Sequence, residues 1–191
     1  MSAAMQTRLP AYVPTALTAS RIVGALVLMF TEAFSPLFFV VYLWCGTTDV
    51  FDGILARKLK KTSEFGAKLD SFADLLFSIA LLLVLIRALS WKMWMYLLLG
   101  LVVLVRLASA AIGALRFHTF VSLHSYANKV SGVALFLLPL LYLAVGLPVA
   151  AFVVGLICLL AATEELILVL RMKELDLNVR GLALQKRHFG T

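Results

Sequence analysis

Residues 49–74, DVFDGILARKLKKTSEFGAKLDSFAD, set four aspartates between two strongly apolar segments. Asp49 and Asp52 are three positions apart and Asp70 and Asp74 four, so helices would put each pair on one face. The flanking stretches, Phe38 to Cys45 and Leu75 to Ile86, read as membrane spans. The acids then fall near the ends of two consecutive helices joined by a short basic turn. Such helices run antiparallel, and with a rise of about 1.5 Å per residue both pairs lie one to two turns inside the same membrane boundary. Carboxylates crowded in a low-dielectric site cannot all stay ionised without cations, and Arg57 alone is too little charge. The residues therefore imply bound metal, and all-oxygen ligands without a neighbouring His or Cys favour a hard ion, Mg²⁺ or Mn²⁺. The competing reading is a structural ion-pair cluster or acids exposed at the interface; acids inside a membrane are functional by default.

Small residues accompany the acids. Gly53, Ala56 and Gly66 clear a trough where a phosphorylated ligand can approach the backbone, although small residues in membrane helices also serve close packing. Arg57 at the rim is suited to grip a phosphate.

Asp49, Asp52, Gly53, Ala56, Arg57, Gly66, Asp70 and Asp74 together spell D-x2-D-G-x2-A-R-x8-G-x3-D-x3-D, and on those residues the chain resembles the CDP-alcohol phosphatidyltransferase family at every fixed position. The resemblance implies that Asp49, Asp52 and Asp70 ligate a two-metal site and that Asp74 is the general base, touching the second metal. It implies that Asp49, Gly53, Ala56, Arg57 and Gly66 bind the CDP moiety. The implied reaction is attack by a small alcohol on the lipid-side phosphorus of CDP-diacylglycerol, releasing CMP, in a homodimeric enzyme of a bacterial or archaeal plasma membrane.

Composition agrees with a membrane setting. The chain has 191 residues, 63% hydrophobic and 14% charged, which is too apolar for an ordinary soluble domain. Its net charge of +7 carries no aromatic-interleaved basic run, so no nucleic-acid partner is expected. The expected fold is an all-α integral membrane protein: an interfacial segment over 1–15, a six-helix membrane domain over 16–170 and a tail over 171–191. Spans are placed at 16–30, 36–57, 66–85, 94–115, 129–145 and 149–170, each near the length needed to cross a bilayer. Pro139 is expected to kink the fifth. Trp91, Trp94 and Tyr96 mark one boundary as an aromatic belt. Lys and Arg gather between Arg57 and Lys68, at Arg116 and Lys129 and in the tail, against Arg87 and Lys92 opposite, so both termini and the acids are expected on the cytoplasmic side. Cys45, Cys158 and the histidines lack metal-ligand spacing; the cysteines are expected buried and reduced.

Arg21 and Arg106 lie in apolar helices, where Arg21 should snorkel or face the bundle and Arg106 should face it. Arg106, Arg116 and Lys129 are candidates for a cationic pocket that takes an acceptor carrying its own phosphate; positive-inside anchoring explains the last two equally well. Glu164 and Glu165 are expected to pair with Arg21 or Arg106, or to carry a proton. For the acceptor, Val13 to Ile22 resembles the first helix of glycerol-phosphate-using members, and the basic positions favour glycerol 3-phosphate. LDSFAD, with Ser71, is instead similar to phosphatidylserine synthases, and an inositol phosphate is a further option. Outside enzymology, a divalent-cation transporter or a catalytically silent lipid-binding subunit is the alternative.

Overall fold

The computed structural model describes residues 12–59, 64–117 and 125–172, with the side chains at 12–15, 49–59, 64–65 and 67–68 outside that description. The described residues form six α-helices: α1 Tyr12–Leu28, α2 Pro36–Leu59, α3 Glu64–Ala88, α4 Met93–Phe117, α5 Tyr126–Val145 and α6 Leu147–Arg171. No strand occurs among them. Among the described residues, four helical stretches are long and apolar enough to cross a membrane: Leu69–Ala88, Met93–Phe117, Tyr126–Val145 and Leu147–Arg171. In the first two helices the described apolar stretches are Ala16–Leu28 and Pro36–Thr48.

The chain divides into two compact units, at Leu89 and Ser90. In the first, α1 packs against both α2 and α3. Its direction relative to α3 follows from two contacts: Arg21 meets the N-terminal half of α3, and Arg87 near the end of α3 donates to the Met29 carbonyl at 3.2 Å. These helices are therefore parallel. α2 runs the other way, since its Cys45 lies against Arg21 and its earlier Val41 against Gly24. Phe38, Tyr42 and Phe77 form a ladder of rings, with centroids 5.7 Å and 6.4 Å apart, that joins α2 to α3.

The second unit places α6 against α4 and α5. Trp94 touches Phe152, Arg106 touches Glu165 and Arg116 touches Val169, so α4 and α6 are parallel. Ser125 caps α5 by accepting from the Asn128 amide at 3.2 Å. Gly146, at φ 79°, makes the abrupt turn into α6, which a side chain would strain. Pro139 is buried within α5, whose helical run continues past it to Val145. Apolar side chains also cover the outside: Leu97, Leu101, Leu104 and Leu107 form an exposed helical stripe on α4, as a lipid-facing surface requires.

Helix ends differ modestly from the sequence expectation. α1 starts at Tyr12, within the segment assigned as interfacial, because Pro14 falls in the first turn, where its missing N–H leaves no bond unmade. Residues 1–11 of that segment and residues 173–191 of the tail lie outside the described residues, as do His118, His124 and His188. Cys45 is buried, Cys158 is half-buried, and both are free thiols.

Candidate functional site

Asp70 and Asp74 stand one turn apart on α3, on the face that continues through the buried Ala73, Phe77, Ala80 and Val84. On α1 the buried face runs Thr18, Arg21, Ala25 and Leu28, which is helical spacing. Packing these two faces brings Arg21 to the acids. Its Nη1 donates to Asp70 Oδ1 at 3.1 Å and to Asp74 Oδ1 at 2.5 Å. The Arg21 side chain is 1% exposed, whereas those of Asp70 and Asp74 are 43% and 50% exposed. The cation is thus inside, with the two carboxylates presented outward from it.

The α2 half of the motif is placed through the same residue. The Cys45 thiol lies 3.9 Å from the Arg21 carbonyl oxygen, and a Cβ on Gly24 would meet Cys45 Sγ at 2.6 Å. Only a glycine lets the two helices come this close. Thr48, buried one turn before Asp52, donates its hydroxyl back to Trp44 and Cys45 carbonyls and so stays inside the helix. Asp49 and Asp52 follow Cys45 by about one and two turns. Because α2 opposes α1 and α3, that step carries their backbone to the end of the unit where Asp70 and Asp74 lie. The side chains of Asp49, Asp52, Ala56 and Arg57, with Gly53, are outside the described residues. Gly66 is half-buried in the first turns of α3.

The donor set suits a hard divalent cation. Two carboxylates that contact one nitrogen converge at their free ends, they are solvent-accessible, and all their donors are oxygen. Among the described residues no third His, Cys, Asp or Glu joins them. Asp70 and Asp74 are therefore the placed members of the predicted ligand set.

The second unit holds a separate polar cluster. Arg106 Nη1 donates to Glu165 Oε2 at 3.1 Å and its Nη2 to Ser131 Oγ at 3.1 Å. Asn128 Nδ2 donates to the same Glu165 oxygen at 3.0 Å. Asn128 and Ser131 share the inner face of α5, while Lys129 between them is exposed, its ammonium 5.8 Å from the centre of the Tyr126 ring. Arg116 donates to the Val169 and Leu170 carbonyls at 3.1 Å and 2.6 Å, closing the C-terminal end of α6. The three cations of the predicted acceptor pocket thus have different neighbours: a buried carboxylate, a helix end and an aromatic ring. Of the pairings open to Glu165, the structure has Arg106; Arg21 goes to the aspartates.

Arg21 is the residue whose role the spacing did not reveal. The sequence shows an arginine in an apolar helix and four acids elsewhere, and several counter-ions were open to it. The signal was the Thr18–Arg21–Ala25–Leu28 face, which commits the arginine to the interior.

A family model, described as CDP-alcohol phosphatidyltransferase, matches residues 11–172. The chain is 41% identical over 80 residues to the CDP-diacylglycerol--glycerol-3-phosphate 3-phosphatidyltransferase of Pectobacterium atrosepticum, covering 38% of this chain and 43% of the relative. A protein of the same name from Yersinia pestis is 39% identical over 87 residues, covering 41% and 47%. Another from Wigglesworthia glossinidia brevipalpis is 43% identical over 67 residues, covering 32% and 37%. The chain thus aligns with less than half the length of these relatives. No solved structure matches it. With the unbroken eight-residue motif and a family match that spans every described helix, the chain belongs to the CDP-alcohol phosphatidyltransferase family.

Proposed function

We propose that this protein transfers the phosphatidyl group of CDP-diacylglycerol to glycerol 3-phosphate and releases CMP. The observation that carries the reading is the convergence of Asp70 and Asp74 at the end of the unit to which α2 delivers Asp49 and Asp52. The acceptor follows the names of the relatives, each a phosphatidyltransferase acting on glycerol 3-phosphate.

Asp49, Asp52, Asp70 and Asp74 would hold Mg²⁺ or Mn²⁺, in a two-metal site. When bound, the metal offsets the negative charge of the diphosphate and of the departing nucleotide. The chain's own residues do the rest. Asp74 accepts the proton of the acceptor hydroxyl as its oxygen forms a bond to the lipid-side phosphorus. The bond from that phosphorus to the bridging oxygen breaks, and CMP leaves with the electron pair. Gly53, Ala56 and Gly66 leave room for the CDP moiety, beside Asp49, and Arg57 grips a phosphate oxygen.

Of the three cations expected in an acceptor pocket, Arg106 takes the acceptor's phosphate in this reading, since Arg116 is bonded to the end of α6 and Lys129 stands beside Tyr126. Glu165 and Ser131 accept from Arg106, and Asn128 donates to the same Glu165 oxygen, so the guanidinium is preorganised for a dianion. A second reading, serine as acceptor, is favoured by Ser71 in LDSFAD.

The chain is read as six membrane spans over 16–170, with an interfacial segment before them and a tail after, both ends cytoplasmic. It would lie in a bacterial plasma membrane as a homodimer, its acids facing the cytoplasm where soluble substrates are. A transporter would place acids at mid-depth in several spans, and a silent subunit would have lost an aspartate; neither pattern fits the motif.

The test is CMP release from CDP-diacylglycerol by the purified protein with Mg²⁺ and, in turn, glycerol 3-phosphate, serine, inositol phosphate or no acceptor. Glycerol 3-phosphate alone should drive release, and Arg106→Ala should raise its KM while leaving that of CDP-diacylglycerol unchanged. Release driven by serine alone would overturn the acceptor assignment.

A further inference from the structure

Arg21 lies outside the family's aspartate motif, yet its guanidinium touches Asp70 and Asp74, the two motif acids whose side chains are described. A cation buried to 1% exposure is costly unless it is well paired, so the contact is not incidental to the fold. Here the arginine is buried and both carboxylates remain half open to the outside. That arrangement backs the acids from within and leaves them accessible.

The base of the arginine is fixed as well. Its carbonyl oxygen is held against the Cys45 thiol, and one turn later Gly24 brings α1 onto Cys45 and Val41 of α2. The α1–α2 seam therefore sets the height of Arg21, and α2 is the helix that continues into Asp49 and Asp52. The other end of Arg21 sets the position of Asp70 and Asp74. Arg21 thus meets both helices, α2 through its backbone carbonyl and the α3 half of the motif through its guanidinium.

We propose that Arg21 is a positioning residue for the phosphatidyl-transfer site: it holds Asp70 and Asp74 in the register with α2 that the divalent cation and the acceptor require. This inference rests on the reading that those two acids serve metal binding and proton abstraction. Arg21 acts through the carboxylates and touches no reacting atom.

The sign of one measurement separates positioning from charge balance. An arginine that merely neutralises the acids competes with a divalent cation, and its removal tightens metal binding. An arginine that preorganises the ligands strengthens metal binding, and its removal weakens it, by about 10-fold to 100-fold for supporting residues of metal sites.

The experiment uses the full chain in lipid nanodiscs, as wild type, Arg21→Met and Arg21→Lys. Mn²⁺ affinity is read by electron paramagnetic resonance, and kcat and KM by CMP release. Arg21→Met should bind Mn²⁺ about 10-fold or more weakly, and lose kcat with the KM of both substrates unchanged. Methionine keeps the apolar bulk of the arginine stem, and the half-exposed aspartates can hydrate, so folding should be kept; melting and size exclusion check it. Should Arg21→Met fail to fold, Arg21→Lys decides, because it keeps the charge but not the reach or the planar fork. Its Mn²⁺ affinity should fall as well. No Mn²⁺ binding by wild type, or affinity in the folded variants that is unchanged or tighter, would overturn the inference. Wild type that binds Mn²⁺ in an Arg21-dependent way but releases no CMP would contradict the functional reading and leave the positioning role supported.

Discussion

A guanidinium at 1% exposure, donating to two carboxylates that stand half in the open, gives this site its order at the scale of single residues. The two acids it holds are not equivalent in the proposed chemistry. Asp74→Asn keeps the shape and the carbonyl oxygen that Arg21 can donate to, but it cannot take a proton. The variant should fold and retain CDP-diacylglycerol binding, while kcat falls about 100-fold to 10,000-fold; steady-state CMP release together with a melting curve checks both halves. Wild-type turnover in Asp74→Asn would remove the base assignment. The acids themselves were legible in the sequence, since eight fixed residues at fixed spacing leave little room for accident. Arg21 was legible only as an arginine that had to go somewhere. A one-dimensional pattern shows which face of α1 is buried, but not which of several distant acids that face meets. The same limit applied to Glu165, for which Arg106 was one of two arginine partners open.

Among the elements, the seam between α1 and α2 is the contact on which the motif's geometry depends. Gly24 lies so near Cys45 that an added methyl would have to displace a sulfur that is itself buried to 1% exposure. Gly24→Ala should therefore destabilise the first unit by about 1–3 kcal/mol, read as a lowered melting temperature in nanodiscs. Cys45→Ala, which removes the sulfur, should recover part of that loss when combined with it. Additive losses in the double variant would show that the two residues do not meet as described. The helices were largely legible, because long apolar runs bounded by charge and turn residues leave few alternatives. Their ends were less so: Pro14 is a helix breaker in most settings and harmless in a first turn, and only the observed start at Tyr12 distinguishes these. The pairing of α1 with both α2 and α3 was not legible, since apolar helices in lipid carry no strong amphipathic stripe to show which neighbour each prefers.

For the whole molecule, two three-helix units divide the polar work. The first carries the aspartates and the arginine behind them; the second carries Arg106 in its net of Glu165, Ser131 and Asn128, with Arg116 and Lys129 nearby in sequence. The division follows the chain order, α1 to α3 and then α4 to α6. It also explains why the reaction class was easier to read than the acceptor: the motif is contiguous in the chain, whereas the second unit's polar groups come from three helices and assemble only in the fold. The most direct measurement is mass analysis of the lipid formed when purified protein, CDP-diacylglycerol, glycerol 3-phosphate and Mg²⁺ are incubated in liposomes, with chelator and Asp74→Asn as controls. Phosphatidylglycerophosphate should form in amounts equal to the CMP released, with none under chelator and a rate lower by about 100-fold or more with Asp74→Asn. CMP release without that lipid, or its formation undiminished by chelator, would contradict the proposed function.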